Sequence, residues 1–258
     1  MGQQKASKQK FLEEHPTCCF CGRRPSETRD HIPSRDFFID KTWPEGYEFP
    51  ACKSCNHNSS TLENVVAFYQ NAMNFDDAQF SASETDRRIR ALLNNVPEVF
   101  PQAVSSSSKR RKVIKDLGLR MGPGETTQDY PVIRIDNRAQ IAFHVFCSKL
   151  ICALYYMHLG EVVSDDGFFL SRWEQYKSQS GRNKVQKFNE YMEISANLHR
   201  EKKELHDQFK YNYILDNETH FFAFTAQFRK AFFVYGAVGQ FDEPPDENWQ
   251  KCTALPFR

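Results

Sequence analysis

Cys18-Cys19-Phe20-Cys21-Gly22 opens a segment that continues through Arg29-Asp30-His31-Ile32-Pro33 and closes on Pro50-Ala51-Cys52-Lys53-Ser54-Cys55-Asn56-His57-Asn58. Cys18 with Cys21, and Cys52 with Cys55, form two C-x2-C pairs. This spacing lets two thiolates of a tight turn converge on one ion, and two such turns complete a tetrahedral site. Cys19 is an alternative to Cys18, but only Cys18 gives the gap that matches Cys52 and Cys55. Gly22 supplies the left-handed residue that such a turn often needs. Between and behind the pairs lie an acid, a histidine and a carboxamide: Asp30, His31 and Asn56.

Outward from this segment, Thr28 to Ile32 reads as a short strand. Asp30 and His31 are neighbours on it and face opposite sides, so a bend near Pro33 is expected to re-aim one of them. Tyr47 to Pro50 reads as a second strand, and Phe37, Phe38 and Ile39 as packing beneath the site. Ser60-Thr61-Leu62-Glu63 has the pattern of a capping box, with Glu63 as the capping carboxylate. Leu62, Val65, Val66, Tyr69 and Met73 then recur on one helical face. The order is knuckle, strand, strand, knuckle, helix. Before it, Met1 to Gln9 reads as a frayed leader and Phe11 to His15 as a helical turn ended by Pro16.

After it, Glu84 to Asn94 reads as a helix. Val99 to Gly124, with its Pro and Gly breaks, Ser105–Ser108 run and Lys109-Arg110-Arg111-Lys112 cluster, reads as a linker or basic loop. Pro131 to Ile135 is an expected strand, and Arg138 to Leu159 a long apolar helix. Phe168 to Tyr176 is ambiguous, and Lys184 to Phe209 is partly a charged helix. Three apolar-aromatic runs, Lys210–Leu215, His220–Ala226 and Ala231–Val238, suggest an antiparallel sheet. The fold class expected is α+β: an N-terminal zinc-bound ββα-metal domain over 1–98, a basic linker over 99–130, and a mixed helix-plus-antiparallel-sheet domain over 131–258.

Whole-chain numbers narrow the classes. The 258 residues are 40% hydrophobic and 26% charged with mean hydropathy −0.65. The richest apolar run, Ile141 to Leu159, is broken by His144, Lys149 and His158, so no membrane partner and a cytoplasmic location are expected. Eight cysteines in such a setting point to metal rather than disulfides. Cys147, Cys152 and Cys252 read as inert. A net charge of +1 gives no bulk attraction to polyanions, so local clusters such as Arg23, Arg24, Arg29 and Arg35 matter more. His144 and His158 read as packed core residues.

Phosphodiester cleavage needs a nucleophile made from water, a cation on the phosphoryl oxygens and positive groups on flanking phosphates. His31 is the natural general base, because an ordinary histidine titrates near neutrality. Asp30 and Asn56 offer hard oxygen ligands to one divalent ion. His57 is an alternative to Asn56. Arg29, Arg35 and Lys53 are candidate phosphate clamps.

These residues together resemble the HNH (ββα-metal) endonuclease superfamily, in its zinc-stapled four-cysteine branch. The resemblance covers about residues 15–75. It implies hydrolysis of nucleic acid, with DNA the expected polymer. It implies His31 as base, a structural Zn2+ on Cys18, Cys21, Cys52 and Cys55, and a catalytic Mg2+ or Mn2+ on Asp30 and Asn56. Many members carry a middle Asn or His that orients the base. Ile32 to Ala51 contains neither, so another group must orient His31. The rival class is a non-catalytic zinc module that binds nucleic acid or a partner protein, and residues 131–258 are a candidate docking surface.

Overall fold

The computed structural model describes residues 2–41, 43–74, 82–99, 102–116, 120–129, 132–175, 179–192 and 208–258. The expected frayed leader is a helix, α1 (Gly2–Glu14). Its Lys, Gln, Glu and Ala residues are good helix formers. Gln9 with Glu13, and Lys10 with Glu14, add pairs four apart. β1 (Thr28–His31) and β2 (Glu48–Ala51) pair antiparallel, with Thr28 opposite Ala51 and His31 opposite Glu48.

The next helix starts earlier than the capping box suggested. α2 (Lys53–Met73) is capped by Cys52, whose Sγ accepts from the Cys55 N–H at 3.4 Å. A cysteine that caps leaves the serines nothing to cap. The Ser59 and Ser60 hydroxyls instead bond back to the Asn56 and His57 carbonyls within the helix. α3 (Ala82–Asn95) follows, then the two-residue β3 (Gln102–Ala103).

The basic cluster expected on a loop lies on a helix, α4 (Ser107–Asp116). No Gly or Pro interrupts residues 105–116, the Lys and Arg residues favour helix, and the Ser106 hydroxyl accepts from the Lys109 N–H. β4 (Ile133–Arg134) pairs β3. α5 (Asn137–Leu159) runs from an Asp136 cap to Gly160 at φ 72°, the left-handed stop that glycine supplies.

β5 (Phe168–Gln175) resolves the ambiguous stretch as a strand. α6 (Gln179–Tyr191) is the first part of the expected charged helix, and 193–207 lie outside the described residues. β6 (Phe209–Asp216), β7 (Phe221–Phe228), β8 (Phe232–Gly239) and β9 (Gln250–Lys251) complete an antiparallel sheet in the order β6-β7-β8-β5-β9. Alternation divides the sheet's side chains. Phe169, Phe222, Phe224, Phe232 and Val234 face one layer, with α5. Phe168, Leu170, Phe233 and Tyr235 face the other, with Val185 and Phe188 of α6.

The first layer is continuous with the cysteine segment. Phe37 stacks on Phe146 of α5 at 4.6 Å and lies 5.2 Å from Phe228, and Tyr47 meets Phe209 edge-on at 5.6 Å. One core cluster therefore joins residues of the expected first and last domains. By length and composition α5 could cross a membrane, yet 72% of its apolar window is buried inside the protein. It is the central core helix.

Candidate functional site

Two turns deliver the four cysteines. In the first, the Cys18 N–H donates to the Arg24 carbonyl at 2.9 Å, and the Gly22 N–H donates to the Cys18 carbonyl at 2.9 Å. Gly22 sits at φ 65°, and a Cβ there would lie 2.8 Å from Val162 Cγ1. Conformation and close approach both call for glycine. The second turn is the capped start of α2. The Cys19 N–H donates to the Pro50 carbonyl at 2.9 Å, which sets the two turns side by side.

All four sulfurs lie within 4.8 Å of one another, and all four residues are buried. A tetrahedral zinc with Zn–S near 2.3 Å spaces its sulfurs about 3.8 Å apart, so the group has the right number, chemistry and size. This buried four-cysteine group could hold a metal such as zinc. Cys18 belongs to it and Cys19 does not; burial pushes the Cys19 thiol up. A hydrogen bond from the Cys55 thiol lowers Cys18 to about 4, and Cys55 rises in return. Burial pushes the Cys21 thiol up as well. The remaining cysteines are also buried and free, with no disulfide among the described residues.

The hairpin β1–β2 and the first turns of α2 carry the other candidates. Asp30 is buried and His31 partly exposed, and the chain bends at Ile32 and Pro33 directly after the strand, as expected near Pro33. Asp30 shares the face of Thr28, which meets α2: the Asn56 side-chain amide donates to Thr28 Oγ1 at 3.0 Å. His57 is exposed. His31 lies at the strand's end, with its side chain 22% exposed. Arg35 Nη2 is 2.9 Å from His31 Nε2. A guanidinium can only donate, so Nε2 accepts and the ring proton lies on Nδ1, which is buried without a hydrogen-bond partner. The Trp43 ring is 5.0 Å from the imidazole, and the Arg35 guanidinium stacks on Trp43 at 3.6 Å. Glu48 Oε1 is 4.0 Å from Nε2. Burial, and then Arg35, hold the His31 pKa below its ordinary value. Arg35 and Trp43 thus hold the imidazole in place.

The candidate phosphate clamps differ. Arg29 is committed to Glu48 at 3.2 Å and to Ser7 of α1, over the Phe11 ring. Lys53 pairs with Glu27 at 3.0 Å at the surface. Arg35 is the cation beside His31.

Asp30 is occupied otherwise. Its Oδ2 lies 2.5 Å from Nζ of Lys149, a fully buried residue of α5. Glu63 Oε1 and Ser59 Oγ lie 2.6 Å from the same nitrogen. Glu63 is therefore an interior partner of Lys149 rather than a helix cap. A catalytic divalent ion needs open positions for water and phosphate. Asp30 is 8% exposed and already faces an ammonium, so these residues do not fit a Mg2+ or Mn2+ on Asp30 and Asn56. Among the described residues, the four cysteines are the group of His, Cys, Asp and Glu side chains placed to share one ion.

Sequence reading assigned Lys149, Glu48 and Trp43 no part in the site, and Glu63 only a capping role. Lys149 had one signal: it is a lone cation inside an apolar helix, where charge is rare unless paired. No protein-family model, curated protein or solved structure matches this chain, so its functional reading rests on these residues alone.

Proposed function

We propose that the chain is a zinc-stapled endonuclease of the ββα type that hydrolyses phosphodiester bonds of nucleic acid, DNA in the first instance, with His31 as general base. The observation that carries this reading is the state of His31. Burial and Arg35 hold its pKa below the ordinary value, Arg35 fixes its ring, and its side chain is 22% exposed at the end of a strand beside the cysteine group.

The steps follow from these side chains. Zinc on Cys18, Cys21, Cys52 and Cys55 supplies no chemistry; it fixes the register of the hairpin and α2. A phosphate arriving at this edge draws the Arg35 guanidinium off Nε2, since the anion is the stronger acceptor. The freed Nε2 lone pair then takes a proton from water, whose oxygen bonds to phosphorus as the bond from phosphorus to the 3′ leaving oxygen breaks; solvent water protonates that oxygen, and the His31 imidazolium returns its proton to solvent. Arg35 meets the charge that develops on the phosphoryl oxygens. The catalytic divalent ion implied by the resemblance does not fit the arrangement around Asp30, and no step runs through it.

The experiment is plasmid nicking by zinc-loaded protein, with and without added Mg2+, beside His31→Ala. Nicking that disappears in a folded His31→Ala supports the reading. Nicking at the wild-type rate by that variant removes His31 as base.

One observation favours a second reading, a non-catalytic zinc module that binds nucleic acid or a partner protein. The interior pairing of Asp30 with Lys149 would serve such a module as a structural tie. It predicts retention of DNA or a partner without cleavage, unchanged in His31→Ala.

A further inference from the structure

We propose that Lys149 is the resident cation of an interior oxygen site formed by Asp30, Ser59 and Glu63. It stands where a divalent ion would otherwise bind. The site joins three elements: Asp30 from β1, Ser59 and Glu63 from α2, and Lys149 from α5. Lys149 Nζ lies 2.5 Å from Asp30 Oδ2, 2.6 Å from Glu63 Oε1 and 2.6 Å from Ser59 Oγ. Ser59 Oγ and Glu63 Oε1 accept hydrogen bonds from the ammonium, and Asp30 Oδ2 faces it as an ion pair. The Phe20 ring lies 4.9 Å from the nitrogen, on a cation–π contact. The Ser59 hydroxyl lies 2.8 Å from Glu63 Oε1 and 3.2 Å from the Asn56 carbonyl, which compete for its one proton.

Charge and chemistry identify what Lys149 replaces. Two carboxylates and a hydroxyl are hard oxygen donors, the set that suits Mg2+ or Mn2+ rather than the thiophilic ions of the cysteine group. Two carboxylates around one ammonium leave an excess of negative charge, which a divalent ion would cancel. Burial raises the Glu63 carboxyl to about 7, the nearby Asp30 adds to the rise, and Lys149 works against it. Lys149 cannot easily yield the place. It sits in the middle of α5 among Phe146, Leu150 and Cys152, all buried, so withdrawing the ammonium means moving the core helix. The assignment concerns metal binding and stands whether or not the chain hydrolyses nucleic acid.

The test is Mn2+ binding to the zinc-loaded full chain, read by the loss of the free-ion electron paramagnetic resonance signal. Mn2+ competes poorly for thiolates, so the cysteine group stays out of the measurement. Wild-type protein is expected to take up no Mn2+ that depends on Asp30. Lys149→Ala is expected to take up about one Mn2+ per chain on the exposed oxygen donors. Glu63→Gln added to that variant is expected to weaken the uptake at least about tenfold, since it removes a charged ligand. Wild-type uptake that disappears in Asp30→Asn or Glu63→Gln overturns the proposal. So does a folded Lys149→Ala that takes up none. Should Lys149→Ala fail to fold, Mn2+ added during its refolding is expected to restore the fold, and no rescue by Mn2+ overturns the proposal.

Discussion

Removing zinc should unfold the whole chain, not its first hundred residues alone. The perturbation is a high-affinity chelator, or Cys52→Ser, which removes one ligand and the cap of α2 together. A four-thiolate zinc is worth about 10–16 kcal/mol of apparent binding energy. A domain's entire stability is about 5–15 kcal/mol, so the loss exceeds the margin. The sheet should not survive separately, because the apolar floor of the cysteine segment is part of its core. Phe37 packs on Phe146 and Phe228, Phe38 approaches Phe209 at 6.3 Å, and Tyr47 meets Phe209. Exposing such aromatic faces costs about 3–5 kcal/mol each by analogy with Phe→Ala changes in cores. The assay is far- and near-ultraviolet circular dichroism through a thermal melt, with zinc content measured in parallel. One cooperative transition is expected for the zinc-loaded chain and an unfolded baseline at 25 °C after chelation. A sheet signal that survives chelation and melts later, as a separate step, would refute the reasoning.

Other consequences are more local. His31→Ala should lose about 10²–10⁴ in cleavage rate, the usual share of a general base, with an unchanged melt. Arg35→Ala should move the acid limb of the pH–rate profile to higher pH. Burial and Arg35 hold the His31 pKa down, so removing the cation lets it rise and leaves less neutral imidazole in mildly acidic buffer. A limb that stays put would mean that Arg35 does not face the ring. The wild-type contribution has the matching sign: His31 binds its proton more weakly folded than unfolded. Stability from this group is present above the ordinary histidine pKa and is lost as the pH falls through the lowered one. Lys149→Met should cost about 3–5 kcal/mol in a urea melt by leaving two carboxylates buried without their cation. Adding Asp30→Asn and Glu63→Gln should recover part of it, and a triple variant no better than the single one would argue against a charge origin.

The two cysteine turns were legible because each pair is written within four residues and thiolate chemistry leaves few alternatives. Both strands were legible for a similar reason: Pro33 closely follows the first and Gly46 closely precedes the second. Strand alternation separated Asp30 from His31, and the bend expected near Pro33 lies at Ile32 and Pro33. What could not be read was distant pairing. Glu63 lies 86 positions from Lys149, and nothing local separates a capping glutamate from a buried one. The helix start was misjudged because a thiol took the capping role, and the basic cluster because α4 carries no long apolar face to announce a helix. Arg35, four residues from His31, was visible as a phosphate candidate. Its role in fixing the ring tautomer needed the distance to Nε2.

The most direct test of the central claim is nicking of supercoiled plasmid by zinc-loaded wild-type protein beside folded His31→Ala. The account predicts nicked circles from the wild type and none above background from the variant. Wild-type protein that is folded and zinc-loaded, binds the plasmid and leaves it supercoiled would contradict the nuclease, and would make the His31 edge a binding surface instead.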